Sequence, residues 1–403
     1  MAALFTIPVE TRLAASSASG KNKNKNKNND KNKNNDKGRD RNRKQALTAF
    51  RRALLRWYDR NRRDLPWRET CDPYRVWLSE IMLQQTRVAA VLEHYRIFLK
   101  RFPDVEALAA ASEDAVLAAW SGLGYYRRAR SLRQCAKEIV QKYASRFPQR
   151  AEDLQTLPGI GRYTAAAIAS IAFAEPVAVV DGNVERVLQR LVNINTNGIK
   201  TPHTSLTTVQ VWQHAQALLA TSRPGDFNQA MMELGATICV PREPRCPECP
   251  VQKWCVAQQS TEFVTSGITM ERRAYLPGKR RISVPQVKKN LWCVLNQRRG
   301  SVLLLQRPGK SSLMPGMWEL PLLSNAPHPL PVSACWRTFR HSITITDYTV
   351  HVLRNLPPRN LPLRTPSLTG ASSAKGKWIA IDRIPRIPVT GLTRKILKAA
   401  GII

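Results

Sequence analysis

Across residues 45–259 apolar side chains return at three- and four-residue spacing, with short breaks at proline and glycine. AFRRALLRWYDR, RVWLSEIMLQQTRVAAVLEHYRIFLKRF, DAVLAAW, ARSLRQCAKEIVQKY, YTAAAIASIAF, NVERVLQRLV, VWQHAQALLA and DFNQAMMELGATIC all follow this rule. The period predicts amphipathic helices, and convincing strands are scarce, so this region is expected to be an all-α domain. The pattern changes from residue 287. NLWCVLNQ, SVLLLQRP, SITITDYTVHVL and GKWIAID are β-rich, TRKILKAA supplies a closing helix, and 287–403 is expected to be an α+β domain. Residues 260–286, with RR, KRR and scattered proline, look like an interdomain linker. Residues 1–44 contain the tract KNKNKNKNNDKNKNNDK, too polar to bury a core, and are expected to be a disordered basic tail.

Charge narrows the partner. The chain carries 63 Lys and Arg against 29 Asp and Glu, a formal net charge of +34. Residues 1–44 hold 12 basic and 4 acidic side chains, +8 of that total, which leaves +26 for the remainder. The tail is therefore not the source, and a polyanion such as nucleic acid is the expected partner. No apolar run reaches the roughly 18 residues of a membrane span. The N-terminus lacks an apolar core with a clean cleavage site, so a soluble, cytoplasmic protein is expected. In a reducing compartment clustered cysteines serve more often as metal ligands than as disulfides.

Three local patterns carry chemistry. Cys239, Cys246, Cys249 and Cys255 stand as C-x6-C-x2-C-x5-C, four thiols able to bind a metal ion or an iron–sulfur cluster. Zinc is the natural rival, although its sites usually pair two CxxC knuckles and only one CxxC occurs here. Leu157-Pro158-Gly159-Ile160-Gly161 precedes a helix start near Arg162. Two glycines ahead of a helix N-terminus bring backbone N–H groups to an anion, and an ordinary corner between helices reads equally well. Asp181 lies between an apolar run and the helix NVERVLQR, where a helix cap is the plain alternative to a catalytic carboxylate.

Taken together, hairpin, Asp181 and four-cysteine loop resemble, in this order, the helix–hairpin–helix glycosylases of the endonuclease III superfamily. The resemblance implies that the cysteines hold one [4Fe–4S] cluster, bracing the segment around Arg242 and Arg245, and that Pro158, Gly159 and Gly161 grip DNA phosphate without reading sequence. It also implies that the Asp181 carboxylate faces the sugar and stabilises an oxocarbenium-like centre. Trp77-Leu78-Ser79-Glu80-Ile81-Met82-Leu83-Gln84-Gln85-Thr86 is similar to the MutY-type adenine DNA glycosylases. On a helix Glu80 shares a face with Val76, Trp77 and Leu83, where a carboxyl keeps its proton as a general acid must; a surface glutamate paired with Arg75 or Arg87 is the alternative. Bifunctional members carry a lysine nucleophile just after the hairpin, where this chain has Tyr163, so little lyase activity is expected. Tyr163 and Asn183 match residues that support the carboxylate. Gly122-Leu123-Gly124-Tyr125-Tyr126 matches the loop that probes the damaged strand, with Tyr125 as an aromatic wedge and Gln84 also on DNA; core packing is the plain alternative for Tyr125. Trp67, Arg68, Gln85 and Gln229 match the adenine pocket.

LLLQRPGKSSLMPGMWELP makes the second domain similar to the Nudix-like lesion-sensing domain of that family. Residues 287–403 contain only Glu319, Asp347 and Asp382 as acids, against 18 Lys and Arg, so metal-dependent nucleotide hydrolysis is not expected and DNA binding is. The family's Phe-Ser-His loop aligns with Ile343, Thr344 and Ile345, so Thr344 is the candidate contact to 8-oxoguanine; a shifted alignment nominates Ser342. The expectation is a monomeric adenine glycosylase on duplex DNA carrying A opposite 8-oxoguanine or G. Its rivals are a pyrimidine glycosylase/lyase, a non-catalytic DNA-binding scaffold and a nucleotide-pool hydrolase.

Overall fold

A computed structural model describes residues 26–192, 206–259, 287–311, 313–323, 335–343, 346–355, 363–364 and 376–403. The expected linker at 260–286 and the candidate Thr344 lie outside the described residues. Up to residue 259 the described elements are helical, and after it they are chiefly strands, so the all-α then α+β order expected from periodicity is the order observed.

The helices are α1 (Asn26–Asn61), α2 (Pro73–Leu83), α3 (Val88–Arg101), α4 (Val105–Ala110), α5 (Glu113–Trp120), α6 (Arg127–Tyr143), α7 (Ala151–Leu154), α8 (Arg162–Ala172), α9 (Gly182–Leu191), α10 (Thr208–Leu218), α11 (Pro224–Thr237) and α12 (Val256–Gln259). Helix α1 corrects one expectation: it runs from Asn26 through the Lys/Asn-rich tract, part of which is therefore helical. Residues 26–37 contain no proline or glycine. Helix nucleated on the apolar stripe of Phe50, Leu54 and Tyr58, all at most 1 % exposed, can therefore propagate N-terminally at low cost per residue.

The chain folds into two compact units that do not follow the sequence segments. One comprises Met1–Val76, Gln149–Gln155 and Gly161–Lys279; the other comprises Trp77–Pro148, Thr156–Ile160 and Arg280–Ile403. The expected helical domain 45–259 is thus shared between units, and residues 77–148 group with the β-rich segment. Two bonds within the second unit explain this. The buried Ser121 hydroxyl donates to the Val389 carbonyl at 2.8 Å, and Arg130 Nη2 donates to the Pro315 carbonyl at 2.7 Å.

The first unit is built on α11. Gly225 lets α11 touch α8, since a Cβ there would lie 2.7 Å from the Ser170 carbonyl oxygen and 2.8 Å from Ile171 Cα. Gly235, near the other end, does the same for α9, where a Cβ would meet Asn183 Cβ at 2.7 Å. Phe50, Val184, Val187, Leu188, Phe227, Leu234 and Trp254 close a shared core. In the second unit the strands are β1 (Val287–Leu295), β2 (Gln297–Arg298), β3 (Ser301–Gln306), β4 (Trp318–Glu319), β5 (Leu322–Leu323), β6 (Cys335–Ile343), β7 (Thr346–Arg354), β8 (Leu363–Arg364) and β9 (Lys377–Ala380). One sheet has the order β6-β7-β1-β5-β8, with β1 and β7 parallel; the other has β2-β3-β4, with β9 on β3. The closing helix α13 (Gly391–Ala399) packs Ile396 and Leu397 into this core.

Candidate active site

In the first unit the site grows from the start of α9. Asp181 is its N-cap: Oδ1 accepts from the backbone N–H groups of Asn183 at 2.9 Å and Val184 at 2.7 Å. Oδ2 accepts from Asn183 Nδ2 at 2.9 Å. The cap reading of Asp181 therefore holds, and the same bonds fix its carboxylate. Burial raises its pKa above 3.8, while bonds from Val184 and Asn183 and the nearby Arg186 charge oppose that rise.

Arg186 and Arg190 were not singled out by the sequence reading. Arg186 Nη2 donates to Asn183 Oδ1 at 2.9 Å and to the Gly235 carbonyl at 2.7 Å, and its Nε donates to the Cys239 carbonyl at 2.9 Å. Arg190, buried, donates to Cys239 Sγ and to the Val240 carbonyl, each at 3.0 Å, and to the Pro241 carbonyl at 3.2 Å. One helix therefore carries the carboxylate at its head and binds the cysteine loop along its side. The i, i+3 and i, i+4 spacing of Asn183, Arg186 and Arg190 was the available signal, but it reads as a solvated basic stripe until the partners are seen.

Cys239, Cys246, Cys249 and Cys255 are half-buried, and Cys239, Cys249 and Cys255 pack on the first unit's core. Burial, reinforced by the neighbouring thiols, pushes Cys249 up to about 12 and Cys255 up to about 11. Among the described residues no three or more His, Cys, Asp or Glu side chains close to single-ion geometry. Of the two flanking arginines, Arg242 is exposed, whereas Arg245 donates to the Thr237 carbonyl at the end of α11.

Along α11, Gln229 is half-buried, Met232 Sδ accepts from the Tyr163 hydroxyl at 3.5 Å, and Glu233 is fully buried. Arg63 Nε and Nη2 donate to Glu233 Oε1 and Oε2 at 2.7 Å, and Arg68 Nη2 donates to Oε2 at 2.7 Å. Burial alone would raise the Glu233 pKa; the two arginines override it and hold the group at about 2. Arg68, expected at the adenine pocket, is thereby committed to Glu233, beside the buried Trp67. Glu233 was also missed by the sequence reading, because its partners lie 170 and 165 positions away.

In the second unit Glu80 lies on α2 with 6 % of its surface exposed, among Trp77, Leu78, Ile81 and Met82. Glu80 is thus buried rather than a surface glutamate. Helix α2 is started by Asp72, whose Oδ1 accepts from Tyr74 N at 2.8 Å and Arg75 N at 3.2 Å, and by Pro73. Gln84 is half-buried and Gln85 exposed just beyond its end. Tyr125 is 60 % exposed, so its expected alternative as a core residue fails. The hairpin turn buries Leu157 and Ile160 and leaves Gly159 and Gly161 exposed, with Pro158 half-buried. Gly159 (φ +77°) tolerates no Cβ, which would sit 2.6 Å from Ser131 Cβ. Asp347 accepts from Ser342, Glu319 pairs with Arg307 at 2.8 Å, and the acids of residues 287–403 form no metal cluster among the described residues.

The model of the HhH-GPD superfamily of base excision DNA repair proteins matches residues 78–214. The chain is 41 % identical over 324 residues to the adenine DNA glycosylase of Homo sapiens, covering 70 % of this chain and 58 % of that one. It is 34 % identical over 271 residues to the adenine DNA glycosylase of Buchnera aphidicola subsp. Baizongia pistaciae, covering 67 % of this chain and 71 % of that one. It therefore spans about three fifths of the length of its mammalian relatives. Among solved structures, a thermostable thymine-DNA glycosylase aligns with 53 % of this chain and 97 % of its own, at 29 % identity and TM-score 0.48.

Proposed function

The chain belongs to the adenine DNA glycosylases of the HhH-GPD superfamily, and from that premise we propose that it excises adenine opposite 8-oxoguanine or guanine in duplex DNA, leaving an abasic site. The observation that carries this reading is the Asp181 carboxylate, held by two backbone N–H groups and Asn183 at the head of α9. A carboxylate fixed in this way needs no reorganisation as positive charge develops on the sugar. Glu80, buried on an apolar helix face, donates its proton to adenine N7, which makes the base a neutral leaving group as the N-glycosidic bond breaks. Asp181 stabilises the sugar cation, and water completes the hydrolysis.

Tyr163 stands where a lyase would place its amine, and a phenol cannot form a Schiff base, so strand cleavage is not part of the reaction. The family resemblance assigns Trp67, Gln85 and Gln229 to contacts with the adenine. Arg68 acts through its bond to Glu233 on α11. Pro158, Gly159 and Gly161 present the hairpin backbone to phosphate, and Tyr125 opens the stack beside the lesion.

Cys239, Cys246, Cys249 and Cys255 would hold one [4Fe–4S] cluster. The donor set is all thiol, rests on the core, and receives a hydrogen bond from Arg190 at Cys239 Sγ. The group's contribution when bound is to fix the Cys239–Arg186–Asn183 linkage behind Asp181. Iron and sulfide analysis should give four of each per chain, and one zinc per chain would contradict the assignment.

The test of the function uses matched duplexes with A opposite 8-oxoguanine, A opposite G, and oxidised pyrimidines. Free adenine should leave the first two, and Glu80→Gln and Asp181→Asn should each abolish its release. Pyrimidine release, or alkali-independent nicking at a comparable rate, would defeat the reading.

A further inference from the structure

As at several other non-glycine positions of the second unit, Gln85 (φ +55°) and Tyr125 (φ +48°) adopt left-handed backbone. Such residues carry strain that the surroundings must hold, and they concentrate at functional sites. They are 40 positions apart, one just past the end of α2 and the other in the loop before α6. A single side chain reaches both. Arg128 Nη1 donates to the Gln84 carbonyl at 2.6 Å, the peptide oxygen immediately before Gln85. Its Nη2 reaches the Gly124 carbonyl at 3.5 Å, the peptide oxygen immediately before Tyr125, and the Arg128 backbone N–H donates to the Tyr125 carbonyl at 2.9 Å.

The same guanidinium ends α2. Nη1 also donates to the carbonyls of Ile81 at 2.7 Å and Met82 at 3.1 Å, which lie in the last turn of the helix. Nη2 donates to the Thr86 hydroxyl at 3.2 Å. The guanidinium carbon lies 5.5 Å from the Trp120 ring centroid and 5.4 Å from that of Tyr125, whose ring is otherwise open to solvent. The two terminal NH2 groups of a planar guanidinium reach these partners together, with one Nη1 hydrogen shared between two carbonyls and Nε left without a partner among the described residues; a single ammonium cannot span them.

We propose that Arg128 is a positioning residue that locks the end of the Glu80 helix to the Tyr125 loop, so that base protonation and strand opening are set in one register. This rests on the proposed glycosylase function. Arg128 need not touch the reacting atoms: it acts through Tyr125 and through the end of α2.

The test is a double-mutant cycle on the full chain with a duplex carrying A opposite 8-oxoguanine. A 2-aminopurine beside the lesion reports strand opening independently of chemistry. Arg128→Met and Tyr125→Ala should each slow single-turnover adenine release about 10- to 100-fold, within the range for a misplaced catalytic array. The double variant should be no more than about 3-fold slower than the worse single, because both break one linkage. Arg128→Lys, which keeps the charge and the fold, should recover only part of the rate and also be non-additive with Tyr125→Ala. In all Arg128 variants the 2-aminopurine rise should shrink.

Multiplying effects in the double variant would overturn the proposal, as would full rescue by lysine. An unchanged 2-aminopurine signal in a slowed Arg128 variant would overturn it too. If the wild-type chain releases no adenine from any duplex, the glycosylase reading fails instead. The Arg128 effect on 2-aminopurine must even then vanish in the Tyr125→Ala background, and its persistence there would overturn the proposal.

Discussion

Glu233 and Glu319 are both buried carboxylates paired with arginine, one on α11 of the first unit and one on β4 of the second, and their proton affinities move in opposite directions. Glu233 has bonds to both oxygens from two arginines and is held at about 2. Glu319 has Arg307 on Oε2 at 2.8 Å and no partner for Oε1 among the described residues, and burial raises its pKa above 4.5 despite the arginine. Burial is common to both; for this pair the direction follows the donors, two arginines on Glu233 and one on Glu319. In the region around α8, α9 and α11 both oxygens of Glu233 and both of Asp181 are bonded, although burial still raises Asp181. The β-rich region holds a carboxylate with one unpartnered oxygen, and its acids form no metal cluster among the described residues.

The largest effects should separate the two regions at once. Asp181→Asn should lower adenine release by about 10³-fold, the scale of losing a preorganised electrostatic partner. Glu319→Gln should leave the rate per folded molecule within about 3-fold, since it lies outside the reacting set. Single-turnover assays on both variants decide this, and comparable losses would erase the distinction between the regions.

Stability comes next. Glu233→Gln leaves Arg63 and Arg68 facing a neutral amide and should cost about 3 kcal/mol, near the low end for breaking a buried pair. Glu319→Gln removes a carboxylate that was never fully satisfied and should cost less, about 1 kcal/mol. Denaturant titration of the two variants would reveal a reversed order.

The pH dependence sharpens the same comparison, with opposite signs. Glu233 titrates lower in the fold than its ordinary 4.5, so its stabilisation is complete above 4.5 and is lost as pH falls toward about 2. Glu319 titrates higher, so its contribution is complete below 4.5 and is lost as pH rises through its folded value. Comparing each Gln variant with wild type across pH 3–7 should show the wild-type advantage shrinking in acid for Glu233 and growing in acid for Glu319. The smallest effect is at Tyr163: Tyr163→Lys should yield weak Schiff-base trapping with borohydride, and none in wild type.

What was legible in the sequence was local. The four cysteines, the Pro158–Gly161 turn and Asp181 announce themselves because their chemistry lies within a few residues, and the change of period at 287 separates helices from strands. What escaped was long-range. Glu233 reads as an ordinary helix residue until Arg63, 170 positions earlier, folds onto it. Arg186 and Arg190 read as surface charge, although their partners on the cysteine loop lie 49 to 53 positions on. Arg128 sits in the run RRAR, where nothing distinguishes the arginine that reaches the end of α2. The helical course of residues 26–44 was missed for a different reason: composition reports the lack of a core, not the low cost of extending an existing helix.

The central claim is tested most directly by chromatographic detection of free adenine after incubation of the purified chain with a duplex bearing A opposite 8-oxoguanine. The account predicts stoichiometric adenine and an alkali-labile site, both absent with Asp181→Asn and with Glu80→Gln. Intact duplex with the wild-type chain, or adenine release that survives Asp181→Asn, would contradict it.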